Sequence, residues 1–247
     1  MLCGRITRLL AAMSLLMASA SATQAGMIFP HGTHMGNTVS FVDVTEDNDS
    51  TQAHYGAFET IGDTLTFDPI NFGVQDNDLV LSELLDSELQ MMIVAKPGYA
   101  LDTISFSEAG DYKIITEGIV SASVPYFWEI SEVDGVAVTG VTGSGIPLFS
   151  DSIVSGLATG LWNIGFSVDL NVQLAAYEAS NGDLGEYVTK ATLNFDNNLA
   201  ADGMNGGTAF IKKKTFGGVT VTSSVPEPAS LGGLLLGMMA MLSTRRR

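Results

Sequence analysis

The sequence predicts an all-β domain: an antiparallel β-sandwich, jelly-roll-like, with an up-and-down barrel as the alternative. Three observations lead there. Runs rich in Val, Ile, Thr, Phe and Tyr recur about every ten residues between Gly, Asp, Asn and Pro turn signals. One run alternates strictly: Trp162, Ile164, Phe166, Val168, Leu170, Val172 and Leu174, with Asn163, Gly165, Ser167, Asp169, Asn171 and Gln173 between them. Successive strand side chains point to opposite faces, so this pattern gives one apolar and one wet face. Finally, no long amphipathic helical pattern and no fixed-period repeat interrupts the series.

Taken in order, Gly26 to Thr38 is rich in Gly, His and Pro and is expected to be a loop or loose terminus. Thr38 to Val44 makes a first strand, and Glu46 to Asp49 an acidic turn. Leu65 and Phe67 alternate with Thr64 and Thr66, and Pro69 ends that strand. Asp76-Asn77-Asp78 marks the next turn. Between Leu79 and Leu89 the pattern is double: Leu81, Leu84, Leu85 and Leu89 fit one helical face, whereas Leu89, Met91, Ile93 and Ala95 alternate as a strand. The later half is read as strand, stopped by Lys96-Pro97-Gly98. Ile104 to Phe106, Tyr112 to Glu117, Ile119 to Ser131 and Val136 to Val141 continue the series, with turns at Ala109-Gly110-Asp111 and Asp134-Gly135. Leu148 to Leu157 is strand plus turn, closed by Thr159-Gly160. The long alternating strand from Trp162 to Leu174 follows. Asn181-Gly182-Asp183 turns the chain into the last strands, Tyr187 to Phe195, Thr208 to Phe216 and Val219 to Thr222.

The two ends differ from this domain. Arg5 and Arg8, then the apolar Leu9 to Met17, then small residues, have the layout of a secretory signal peptide over residues 1–25. Ala22 and Ala25 both close suitable cleavage sites; cleavage after Ala25 is the one adopted. Cys3, the one cysteine, leaves with it, which excludes disulfides and thiol chemistry from the mature chain. At the other end, Val225-Pro226-Glu227-Pro228 is extended by its prolines. An uncharged run of 14 residues, Ala229 to Leu242, then precedes Arg245, Arg246 and Arg247. As a helix the run measures roughly 21 Å, short of the ~30 Å hydrocarbon core, although Val225 to Thr244 would span with snorkelling arginines. A C-terminal hydrophobic helix anchoring an external domain is the plain reading. What remains, residues 26–224, is one domain's worth of chain, able to bury a real core. It holds six lysines against 26 carboxylates, a formal charge of −20. Such acidity argues against nucleic acid as a partner and suits an exported, soluble domain.

The tail also resembles the PEP-CTERM sorting signal, through Pro226, Glu227 and Pro228, the apolar run and Arg245 to Arg247. That resemblance implies a surface protein whose tail, residues 225–247, is cut by exosortase, a membrane transpeptidase-like enzyme. The helix would hold the chain in the inner membrane only before processing. It further implies an exopolysaccharide or biofilm setting, in the manner of other signals removed from the mature chain. Gly62 to Pro69, Ile104 to Tyr112 and Lys190 to Leu199 with Ile211 to Lys214 resemble segments of uncharacterised PEP-CTERM surface proteins, a resemblance that brings no activity with it.

Motifs that carry chemistry are sparse. There is no nucleophile elbow, zincin motif or phosphate loop, so the expectation is a protein that is not an enzyme and has no catalytic residues. His31 and His34 could offer two imidazoles to a metal, but no cysteine completes such a site. Carboxylates are too many for any pair, Glu129 with Glu132 for example, to stand out as a glycosidase pair. Calcium is the ion the oxygen-rich loops would take, with Asp47, Asp49, Asp76 and Asp78 as candidate ligands and Asp196, Asn197, Asn198 and Asp202 as a further loop. Sugar could stack on Tyr126 or Trp128, in the Tyr126-Phe127-Trp128 triplet that puts a ring on each strand face. Lys212-Lys213-Lys214 is expected on an edge strand, discouraging aggregation. The expected role is therefore structural or adhesive at the cell surface, with a carbohydrate- or calcium-binding module as the alternative and a secreted hydrolase behind it.

Overall fold

The computed structural model describes residues 26–69, 71–77 and 82–226, built as strands and one helix in two antiparallel sheets. The segment expected to be a signal peptide (residues 1–25), the tail from Glu227 onward and Asp78 lie outside the described residues. Within them no helix is long and apolar enough to cross a membrane. The strands are β1 (Met27–Met35), β2 (Val39–Asn48), β3 (Phe58–Ile61), β4 (Thr64–Phe67), β5 (Gly73–Asp76), β6 (Glu83–Ala95), β7 (Ala100–Ile115), β8 (Gly118–Ser123), β9 (Tyr126–Val133), β10 (Val136–Gly145), β11 (Leu148–Ile153), β12 (Leu157–Asp169), β13 (Val188–Gly203) and β14 (Thr208–Ser224). The helix α1 is Leu170–Asn181.

The larger sheet runs β1-β2-β6-β13-β8-β11, with β9 also on β13 and β10 outside β9. The smaller runs β12-β7-β14-β4-β3, with β5 also on β14. The apolar sides face each other, as alternation demands: along β13, Ala191, Leu193, Phe195, Leu199 and Ala201 are buried while their neighbours are partly exposed. The expected antiparallel sandwich is thus the observed fold.

Local punctuation misled the sequence reading in several places. Gly26 to Thr38 is not a loop: β1 pairs with β2 through two register shifts. The acidic Glu46 to Asn48 continues β2 instead of turning. Ala109-Gly110-Asp111 is no turn either, since β7 runs through it unbroken. Gly110 is needed there for close approach: a Cβ would sit 2.0 Å from the Lys212 carbonyl oxygen and 2.6 Å from the Trp162 ring. Ile119 to Ser131 is two strands, parted at Val124-Pro125. The long strand ends at Asp169, whose carboxylate caps α1 by accepting from the Val172 N–H (3.0 Å). Leu170 and Leu174, four apart, turn inward on the helix while Val172 is 59% exposed. Asp196, Asn197, Asn198 and Asp202 lie in the middle and end of β13, not in a loop.

The lysine island is also corrected. β14 is central, with β7 on one side and β4 and β5 on the other. Lys213 is in phase with Ala209 and Ile211 and points into the core, 1% exposed. Its Nζ donates to Glu108 Oε2 of β7 at 2.7 Å and lies 3.8 Å above the Phe72 ring and 5.2 Å from that of Tyr55. Tyr55 donates through its hydroxyl to the Ser87 carbonyl (3.2 Å) and accepts a short hydrogen bond from Asn197 Nδ2. Next to it, Glu46 is fully buried on β2. Its carboxylate accepts from Asn48 Nδ2 (2.7 Å), Ser87 Oγ (2.9 Å) and the His54 and Tyr55 N–H groups (2.6 and 3.4 Å). His31 Nε2, on β1, closes over it at 3.2 Å. A polar layer therefore lies inside the core, between the sheets.

Candidate functional site: the outer face of the larger sheet

From Thr192 to Asp202 the even-numbered residues of β13 face away from the core, and register lines them up with their neighbours. Asp196 stands opposite Glu88 of β6, and Glu88 opposite Asp47 of β2, so three carboxylates form one row across three strands. Asn198 stands opposite Asp86 and Asn194 opposite Gln90. On the other side of Asn194 comes Phe127 of β9, 43% exposed, and beyond it Ser144 of β10. A ring is thus set beside a patch of carboxamides and carboxylates on one sheet face.

Internal hydrogen bonds hold that patch in shape. Asn194 Nδ2 donates to Glu88 Oε1 (2.6 Å), and Asn198 Nδ2 to Asp196 Oδ2 (3.0 Å). Asp196 Oδ1 is buried without a hydrogen-bond partner. Burial first, then the Asp86 and Glu88 charges, push the Asp196 carboxyl up to about 6. Asp86 is raised too, mainly by burial and then by the nearby Asp49. Like charges opposed across strands destabilise a sheet, so this row is kept at a cost in stability.

The residues singled out in the sequence are dispersed. Asp47 belongs to this row; Asp49 lies exposed in the turn after β2. Asp76 is buried on β5, in the region of the smaller sheet, where its Oδ2 accepts from the Gly203 N–H (2.7 Å). Among the described residues, no group of three His, Asp or Glu side chains is spaced to hold a metal ion. His31 and His34 both pack on the Phe58 ring, at 4.2 and 5.8 Å.

Of the aromatic triplet, Trp128 is buried, only 4% exposed, with Gly143 against its ring. Tyr126 turns inward as well and stacks on Phe166 of β12, centroids 3.8 Å apart at 15°. The outward ring is Phe127. Its phase was legible: Tyr126 and Trp128 alternate with Ile130 as the apolar set, whereas Phe127 shares its side with Glu129 and Ser131. On the opposite side of the molecule, Gln75, Lys113, Ile115, Thr208 and Phe210 line a shallow groove of about 300 Å³ on the smaller sheet.

No protein-family model matches the chain, and no curated protein does. Among solved structures it is similar to TmCBM61 in complex with beta-1,4-galactotriose, at 11% identity, covering 83% of this chain and 93% of that one, with a TM-score of 0.20. It is also similar to an ENZbleach xylanase mutant, at 8% identity over 74% and 86% of the two chains and a TM-score of 0.24. A third is a family 11 carbohydrate-binding module from Clostridium thermocellum in complex with a beta-1,3-1,4-mixed-linked tetrasaccharide, at 12% identity over 80% and 91%, TM-score 0.14.

Proposed function

We propose that this is an exported surface domain that binds polysaccharide along the outer face of its larger sheet, without turning it over. The observation that carries the proposal is Phe127: a ring left exposed on a β-strand, beside Asn194, Gln90, Glu88, Asp196 and Asn198. A pyranose offers an apolar face to a ring and hydroxyls to amides and carboxylates at its rim, and this patch offers both partners. A neutral or cationic glycan is favoured, because the row Asp47, Glu88, Asp196 repels anions.

The tail's resemblance to a sorting signal supports the same reading, because it implies delivery by exosortase into an exopolysaccharide layer. Loss of the tail near Pro226 to Pro228, read as intact mass of protein recovered from the cell surface, tests that part. Retention of Arg245 to Arg247 would leave a tail-anchored protein instead.

Binding is tested by electrophoresis through gels containing neutral polysaccharides. The wild type is retarded by at least one; Phe127→Ala loses most of that retardation, a drop of about tenfold in affinity for a ring worth 1–2 kcal/mol. Phe210→Ala, in the groove on the other sheet, leaves it unchanged. The proposal fails if no polysaccharide retards the wild type, or if Phe210→Ala rather than Phe127→Ala abolishes binding. Cleavage would need one carboxyl to protonate the leaving oxygen and a second, across the bond, to act as base or nucleophile. Release of reducing ends on incubation with the bound glycan would overturn the binding-only part.

A further inference from the structure

The polar layer in the core holds an arrangement that the surface function does not use. Glu108 on β7, Lys213 on β14 and Asn197 on β13 come from both sheets and meet between them, 3%, 1% and 0% exposed respectively. Aromatic rings surround them. Phe72 and Tyr55 flank the ammonium. Phe106 and Phe195, each two residues before a member of the trio and on the same face, lie 4.4 Å apart. The bonding is incomplete. Glu108 Oε2 takes the Lys213 Nζ and Asn197 Nδ2 bonds the Tyr55 hydroxyl, yet Glu108 Oε1 and Asn197 Oδ1 are both buried with no partner of good geometry. Asn197 nonetheless lies close enough to Glu108 for its amide to favour the carboxylate. A buried ion pair with two orphaned oxygens is a costly end state.

We propose that Lys213 and Asn197 become joined by an intramolecular amide bond, with Glu108 as the proton carrier between them, so that the two sheets are linked covalently. The three groups are what the reaction needs: a desolvated amine, a carboxamide, and an acid touching both. Burial lowers the Lys213 ammonium to about 8 and raises the Glu108 carboxyl. Transfer of a proton from one to the other leaves a neutral amine beside a neutral acid.

The Nζ lone pair then attacks Asn197 Cγ while the Glu108 hydroxyl hydrogen-bonds Oδ1, where negative charge develops. Collapse breaks the Cγ–Nδ2 bond, and the proton lost from Nζ passes through Glu108 to the leaving nitrogen, which departs as ammonia. One C–N bond forms, one breaks, and nothing is oxidised or reduced. No co-reactant is required. In a chain whose one cysteine, Cys3, lies in the signal peptide, this is a covalent brace open to the domain where a disulfide is not.

The test is mass spectrometry of the purified full chain, denatured, then digested. The wild type is one ammonia lighter than its sequence, and digestion yields a branched fragment in which the Lys213 and Asn197 peptides stay joined through their side chains. Lys213→Arg and Glu108→Ala carry no such branch and no ammonia deficit. Separate, unjoined peptides in the wild type would overturn the proposal, and so would an ammonia deficit traced to another asparagine or to the N-terminus. The wild-type digest decides by itself, so the proposal stays testable if a variant fails to fold.

Discussion

Glu46 has no contact with solvent and several donors converge on it, which makes it the side chain on which this part of the core depends. Burial favours the protonated acid, but the hydrogen bonds from His31, the His54 N–H, Ser87 and Asn48 outweigh it and hold the carboxyl below its usual range. Glu46→Ala strands those donors and is expected to cost about 3–5 kcal/mol in urea unfolding at neutral pH. Asp196 behaves in the opposite way. Its folded value of about 6 lies above the ordinary 3.8, so the native state holds the proton more tightly than the unfolded chain. Its contribution therefore weakens stability as pH rises from about 4 to 6. Asp196→Asn should gain about 1–2 kcal/mol at pH 7 and nothing near pH 3, where both forms are protonated. A gain independent of pH would show that charge is not the cause.

At the level of elements, α1 is held by its cap and by two leucines. Asp169→Ala is expected to remove about 1 kcal/mol, and Leu174→Ala about 2–4 kcal/mol, measured by thermal unfolding. The strands were legible wherever alternation was clean, as along β6 from Leu89 to Ala95 and β12 from Trp162 to Val168. Reading the alternation on to Leu174 hid the helix. Positions 170 and 174 satisfy both a period of two and a helical spacing of four, and the signs that separate them are Asp169 as a cap and the Ala175-Ala176 that follow. The polar layer was illegible for a different reason. Asn197, Lys213, Glu108 and Glu46 stand in inward phase, and each is matched by a partner far away in sequence, Glu108 and Lys213 being 105 residues apart. Local pattern reads such a residue as a turn or a wet face, because only the fold supplies its partner. Phe127 was legible by phase, though the patch around it required the register of β2, β6, β13 and β9 together.

For the molecule as a whole, the dominant surface property is charge. With six lysines against 26 carboxylates in residues 26–224, self-repulsion opposes the compact state, and salt screens it. Melting temperature should rise by several degrees between about 0.02 and 0.5 M sodium chloride, since each kcal/mol is worth roughly 2–4 °C at this size. A flat or falling response would mean that the acidic row is already neutralised. The position of β14 bears on mechanical load. It ends at Ser224, two residues before Pro226, so a tether at that end pulls along its axis. The ladder to β7 extends from Ser224 back to Thr208, and β4 and β5 hold the other edge. Tension applied there must shear many bonds at once, whereas β1, paired with β2 alone among the described strands, can unzip bond by bond. A domain fixed to a surface by its C-terminal end would carry drag through its strongest strand and yield first at β1.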